Sequence, residues 1–145
     1  MDSAFDFLLE QATERENNAV LALNKAQSEL ESYYQQVAQI ERYRLDYCAQ
    51  LVERGQAGLT ASQYGHLNRF LTQLDETLTK QKQAEGHFKQ QVQHCEEHWL
   101  EMRKQRKSYQ WMLDKKQQQR QQLEAKREQK MMDEFATLLA SRRSN

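Results

Sequence analysis

The chain contains no proline in 145 residues and only four glycines, so the two residue types that most readily stop a helix are nearly missing. Its two cysteines, Cys48 and Cys95, are too few for a disulfide framework and lack the paired spacing of a zinc motif, which points to reduced thiols in the cytosol. No apolar run approaches the roughly 20 residues of a membrane span. The opening MDSAFDFLLEQ is acidic where a secretion signal is basic. A soluble, cytoplasmic protein without direct membrane insertion is expected. Only 38% of residues are apolar, too few for one thick core, while 29% are charged. Such polarity is compatible with disorder, but the apolar residues recur with a sustained period. A polar chain with helical periodicity and no breakers reads as long exposed helices.

Apolar residues step by three and four through Phe5, Leu9, Ala12, Ala19, Leu23, Ala26, Leu30, Tyr33, Val37, Ile40, Tyr47 and Leu51, with Glu16 and Arg44 as the interruptions. The same stepping returns through Tyr64, Leu67, Leu71, Leu74, Leu78, Phe88, Val92, Cys95, Trp99, Met102, Tyr109 and Leu113, broken by Gln81, Glu85 and Arg106. An average step of 3.5 keeps one stripe facing a partner helix, the requirement of a coiled coil. Between the two runs, Arg54-Gly55-Gln56-Ala57-Gly58-Leu59 holds two of the four glycines. Gly55 is placed to cap a helix in the left-handed conformation, and Thr60-Ala61-Ser62-Gln63 fits a capping box. The expectation is one all-α domain over residues 1–145, a long two-helix antiparallel coiled-coil hairpin. Helix one covers about 3–54, the tip 55–60, and helix two about 61–140 with an unpaired C-terminal overhang.

Making first-position residues face fourth-position residues pairs positions whose numbers sum to about 118. That sets Leu51 by Leu67, Ile40 by Leu78, Leu30 by Phe88, Ala26 by Val92, Ala19 by Trp99 and Phe5 by Leu113, so small faces large, as close packing requires. It also brings Asp6, Glu10, Glu14 and Glu16 near Arg103, Lys104, Arg106 and Lys107, and Cys95 beside Leu23. The polar interruptions can fix register at some cost in stability.

Helix one is used up at Phe5, yet helix two continues toward Leu139, roughly 25 residues or about 40 Å further at 1.5 Å per residue. Seam positions there become Lys116, Arg120, Leu123, Arg127 and Lys130. A helix without a packed face is marginal in water, so this overhang calls for another protein to complete it. Residues 1–54 carry ten acidic and five basic side chains, residues 101–145 six acidic and twelve basic, and the formal total is +0. Glutamates interrupt the basic helix and no nucleic-acid motif is present, so no nucleic-acid partner is expected.

Catalytic chemistry finds little support. His94 and His98 stand at the i, i+4 spacing of zinc sites, but Cys95 occupies the place of a metalloprotease base and lies on the seam. A phosphate-cradling glycine loop is lacking, isolated serines have no base or orienter, and a coiled coil offers no cleft. A non-enzymatic protein without metal or cofactor is expected. Tyr34, Tyr43 and Phe70 lie off the seam. Tyr43 and Phe70, near Tyr47 and Leu74 at the tip, make a candidate contact patch.

The closing stretch Glu128-Gln129-Lys130-Met131-Met132-Asp133-Glu134-Phe135-Ala136, the Tyr43-x-x-x-Tyr47 pair before the tip and Phe70-x-x-x-Leu74 after it resemble the FliJ family of flagellar type III export proteins, over essentially the whole chain. The departure is Met131, where that ending carries a second lysine. The resemblance implies a fold like the stalk of the rotary ATPase gamma subunit, standing in the central hole of the FliI export ATPase hexamer and promoting its assembly and activity. Ring subunits would then cover Leu123, Met132, Phe135, Leu138 and Leu139. It also implies that Gln36, Ile40, Tyr43, Tyr47, Phe70 and Leu74 contact the export gate protein FlhA. Escort of empty export chaperones, at a site the sequence does not place, and a peripheral position at the membrane-associated export apparatus follow in the same way. Two alternatives stay open: the equivalent stalk of a virulence injectisome, and a structural coiled coil that dimerises through the overhang.

Overall fold

The computed structural model describes residues 3–144; Met1, Asp2 and Asn145, the ends of the expected domain, lie outside them. The chain forms two helices, α1 (Ser3–Ala57) and α2 (Ala61–Arg143), packed against each other as an antiparallel all-α hairpin, with no strand among the described residues. No helix is long and apolar enough to cross a membrane.

α1 runs three residues past the expected end at Arg54. The left-handed residue is Gly58, at φ 95°, and Gly55 is helical. Stopping at Gly55 would leave backbone groups of residues 55–57 without helical partners, and Ala57 is a strong helix former, so the turn waits for the second glycine. α2 then starts on the capping box: the Gln63 amide donates to Thr60 Oγ1 and the Thr60 amide donates to Gln63 Oε1, each at 3.2 Å.

The chain divides into two compact units. Unit 2, Asn18–Leu100, holds the loop. Its buried side chains are Ala19, Ala26, Tyr33 and Leu78, flanked by half-buried Leu23, Leu30, Val37, Ile40, Tyr47 and Leu51 of α1 and Leu67, Leu71, Leu74, Phe88, Val92, Cys95 and Trp99 of α2. These are the seam positions. Cys95 is half-buried, less enclosed than expected, and both cysteines are free thiols. Tyr64 is 51% exposed although the period includes it, because in the first turn of α2 it stands opposite the charged end of α1.

Two of the seam's polar positions in this unit, Arg44 and Glu85, have partners. Arg44 Nε donates to Asp75 Oδ1 at 2.5 Å. Glu85 accepts from the Tyr34 hydroxyl at 3.1 Å and pairs with Lys89 Nζ at 2.8 Å. Phe88 stacks on Tyr33 at 5.2 Å between centroids.

In unit 1, residues 1–17 with 101–145, Ala12 is buried and Phe5, Leu9 and Glu16 are half-buried together with Met102, Arg106, Tyr109 and Leu113. Arg106 forks onto Glu16, with Nε 2.5 Å from Oε2 and the second nitrogen 3.5 Å from Oε1. Over the Phe5 ring stands Lys116 Nζ at 3.8 Å.

Candidate partner-binding surfaces

The tip patch belongs to unit 2. Tyr47 and Phe70 cross from α1 to α2 with ring centroids 4.3 Å apart and planes tilted by 41°. Such tilted pairs stabilise by edge and offset contact beyond the area they bury. Phe70 keeps 38% of its surface exposed, so its ring serves both as helix-to-helix contact and as outer surface. Leu74 lies one turn along α2, half-buried, and Ile40 is half-buried on α1. Tyr43, 49% exposed, stands one turn before Tyr47, and its hydroxyl accepts from Gln39 Nε2 at 3.1 Å. Gln36 is exposed at the far end of this row. The spacing Gln36, Ile40, Tyr43, Tyr47 is that of one helix face. The third off-seam aromatic, Tyr34, is tied instead to Glu85.

Charge in this unit is held by its pairs. The Glu85 carboxyl is lowered below its ordinary value, first by the hydrogen bond from Lys89 and then by that from Tyr34, while Lys89 is raised mainly by the same bond. Arg44 is raised chiefly by its hydrogen bond to Asp75. The Tyr33 hydroxyl is raised by burial first and by Glu85 second. Arg44 and Asp75 join α1 to α2, whereas Glu85 and Lys89 pair within α2. His94 and His98 are exposed beside half-buried Cys95, and among the described residues no group of three or more metal-type ligands converges.

The second surface belongs to unit 1. From residue 117 to residue 144 every described side chain is exposed. Met132, Phe135, Leu138 and Leu139 line one shared apolar surface with Met131, which the sequence reading left out of the site. The signal for Met131 was its spacing from Phe135 and Leu138, which places it on the same face. Leu123 is 56% exposed but is not part of this surface; at 100° per residue it falls about 120° around the helix from the middle of the apolar face. Met131 and Met132 are each 68% exposed, Phe135 63% and Leu138 62%, so the apolar groups of this face are uncovered.

No curated protein matches the chain significantly. Among solved structures, a protein described as a YscO homolog from Chlamydia trachomatis is loosely similar: it has 18% identity over 96% of this chain and 90% of that one, with a TM-score of 0.44. The sequence model of the flagellar FliJ protein family matches residues 1–145. That match spans the whole chain, both surfaces included, and the chain therefore belongs to the flagellar FliJ protein family.

Proposed function

We propose that this protein is a non-enzymatic component of the flagellar type III export apparatus that joins the export ATPase to the export gate. The reading is carried by the run of exposed residues from 117 to 144 with its apolar face, which has too little packing of its own to account for an ordered helix. The FliI hexamer supplies the missing cover: the C-terminal end of α2 inserts in the central hole of the ring, where Met132, Phe135, Leu138 and Leu139 meet the subunits, with Leu123 meeting them from another side. Basic side chains flank this segment, and a ring lumen of acidic character would suit it. Engagement promotes assembly and activity of the ring.

On unit 2, Gln36, Ile40, Tyr43, Tyr47, Phe70 and Leu74 form the contact for the gate protein FlhA. The joined Tyr47 and Phe70 rings support this assignment, since a rigid aromatic pair is the usual anchor of a binding hot spot. The protein also escorts empty export chaperones, and it works in the cytoplasm at the membrane-associated export apparatus. Removing residues 124–145 should abolish stimulation of the purified ATPase while leaving the tip able to bind the gate. Stimulation that survives the truncation would rule out insertion.

A further inference from the structure

The apolar face near the end of α2 has an order that reads the same in both directions. Met132 and Met131 lie three and four residues before Phe135, and Leu138 and Leu139 lie three and four after it. With Glu134 and Ala136, which flank Phe135, these residues line the shared exposed surface. One further step outward on each side stand Glu128 and Arg142, at equal distance from Phe135 and opposite in charge. At 100° per residue all seven positions fall in a sector about 120° wide, so they form one face.

We propose that this face is a self-complementary docking surface for a second copy of the same chain, paired antiparallel about a two-fold axis through Phe135. A two-fold contact needs a patch complementary to itself, in which residue i meets j and j meets i. Reversal about Phe135 delivers this: Met131 meets the partner's Leu139, Met132 meets the partner's Leu138, and the two Phe135 rings meet each other. Glu128 faces the partner's Arg142 at one end and Arg142 faces the partner's Glu128 at the other, so charge and shape select the same register. A parallel pairing would instead set Glu128 against Glu128 and Arg142 against Arg142. The contact spans only about two heptads per copy, and so short an interface makes the dimer concentration-dependent and displaceable. The same residues are those proposed to meet the export ATPase. Self-pairing and ring engagement therefore exclude each other, a consequence that rests on the proposed function while the dimer itself does not.

Sedimentation of the full chain should show a dimer fraction that rises with concentration. Phe135→Glu, which sets two carboxylates on the axis, should weaken association at least tenfold without loss of helicity. Glu128→Arg and Arg142→Glu should each weaken it, and the two together should restore it. In a background with Cys48→Ser and Cys95→Ser, Phe135→Cys should crosslink to itself under mild oxidation. Met131→Cys should crosslink only when mixed with Leu139→Cys. A monomer at every concentration, or a dimer indifferent to Phe135→Glu, overturns the proposal; failure of the charge exchange or of the crosslinks overturns the register. Addition of the purified ATPase should release monomer, and a dimer that persists beside bound ATPase would overturn the exclusion and leave the self-pairing standing.

Discussion

Glu16 and Arg106, 90 residues apart in sequence, are the polar interruptions of the apolar seam in unit 1, and they meet in a forked ion pair across it. The Arg106 guanidinium is raised above its ordinary value chiefly by that hydrogen bond. The side chains are 29% and 15% exposed, so water screens the pair only in part. Its specificity matters more than its strength, because any slip in register sets a charge against leucine or alanine. Glu16→Arg should lower the melting temperature by several degrees, and adding Arg106→Glu should recover most of the loss in thermal denaturation followed by circular dichroism. If the double variant melts no higher than the single one, the pair does not set the register.

The two glycines near the loop should respond in opposite directions. Gly58→Ala puts a side chain at φ 95° and should cost about 1 kcal/mol. Gly55 is helical with open space where a Cβ would sit, so Gly55→Ala should stabilise by about 0.5 to 1 kcal/mol. Urea denaturation of both variants measures the contrast.

Acid should weaken unit 2 through Glu85. Its ordinary value is 4.5 and its folded value is lower, so its contribution to stability is fully present above pH 4.5 and is lost as pH falls through the depressed folded value. Melting temperature measured from neutral pH downward should fall in that window. Glu85→Gln should flatten this part of the profile, while its Tyr34 contact persists with the amide oxygen as acceptor.

Phe70→Ala combined with Leu74→Ala removes one half of the tip patch. Affinity for the gate's cytoplasmic linker should drop at least tenfold, which is about 1.4 kcal/mol, and motility should fall, while helicity and ATPase binding hold. Isothermal titration with the purified gate domain tests this; an unchanged affinity would remove the tip from the proposed function.

The hairpin was legible because a coiled coil writes its packing into the chain as a period. Every seam position from Leu67 to Leu113 on α2, polar interruptions included, is half-buried or buried. What the period could not supply was anything decided by side-chain length or by competition between equivalent signals. Gly55 and Gly58 carry the same local cue, and closure of a short loop chose between them. Arg44 is paired with Asp75, a residue off the seam that no apolar period could single out. On the candidate surfaces, Met131 was passed over as a departure from a familiar ending although helical spacing sets it beside Phe135.

The three-residue link Gly58-Leu59-Thr60 also dictates an order of assembly. Pairs that lock the helices together span 31 residues for Arg44 with Asp75, 51 for Tyr34 with Glu85 and 90 for Glu16 with Arg106. Closing the shortest segment costs the least chain entropy, and each closure shortens the next. The hairpin therefore zips from its loop outward. Substitutions near Gly58 slow folding, whereas those at Glu16 or Arg106 act on unfolding, giving φ-values that decline with distance from the turn.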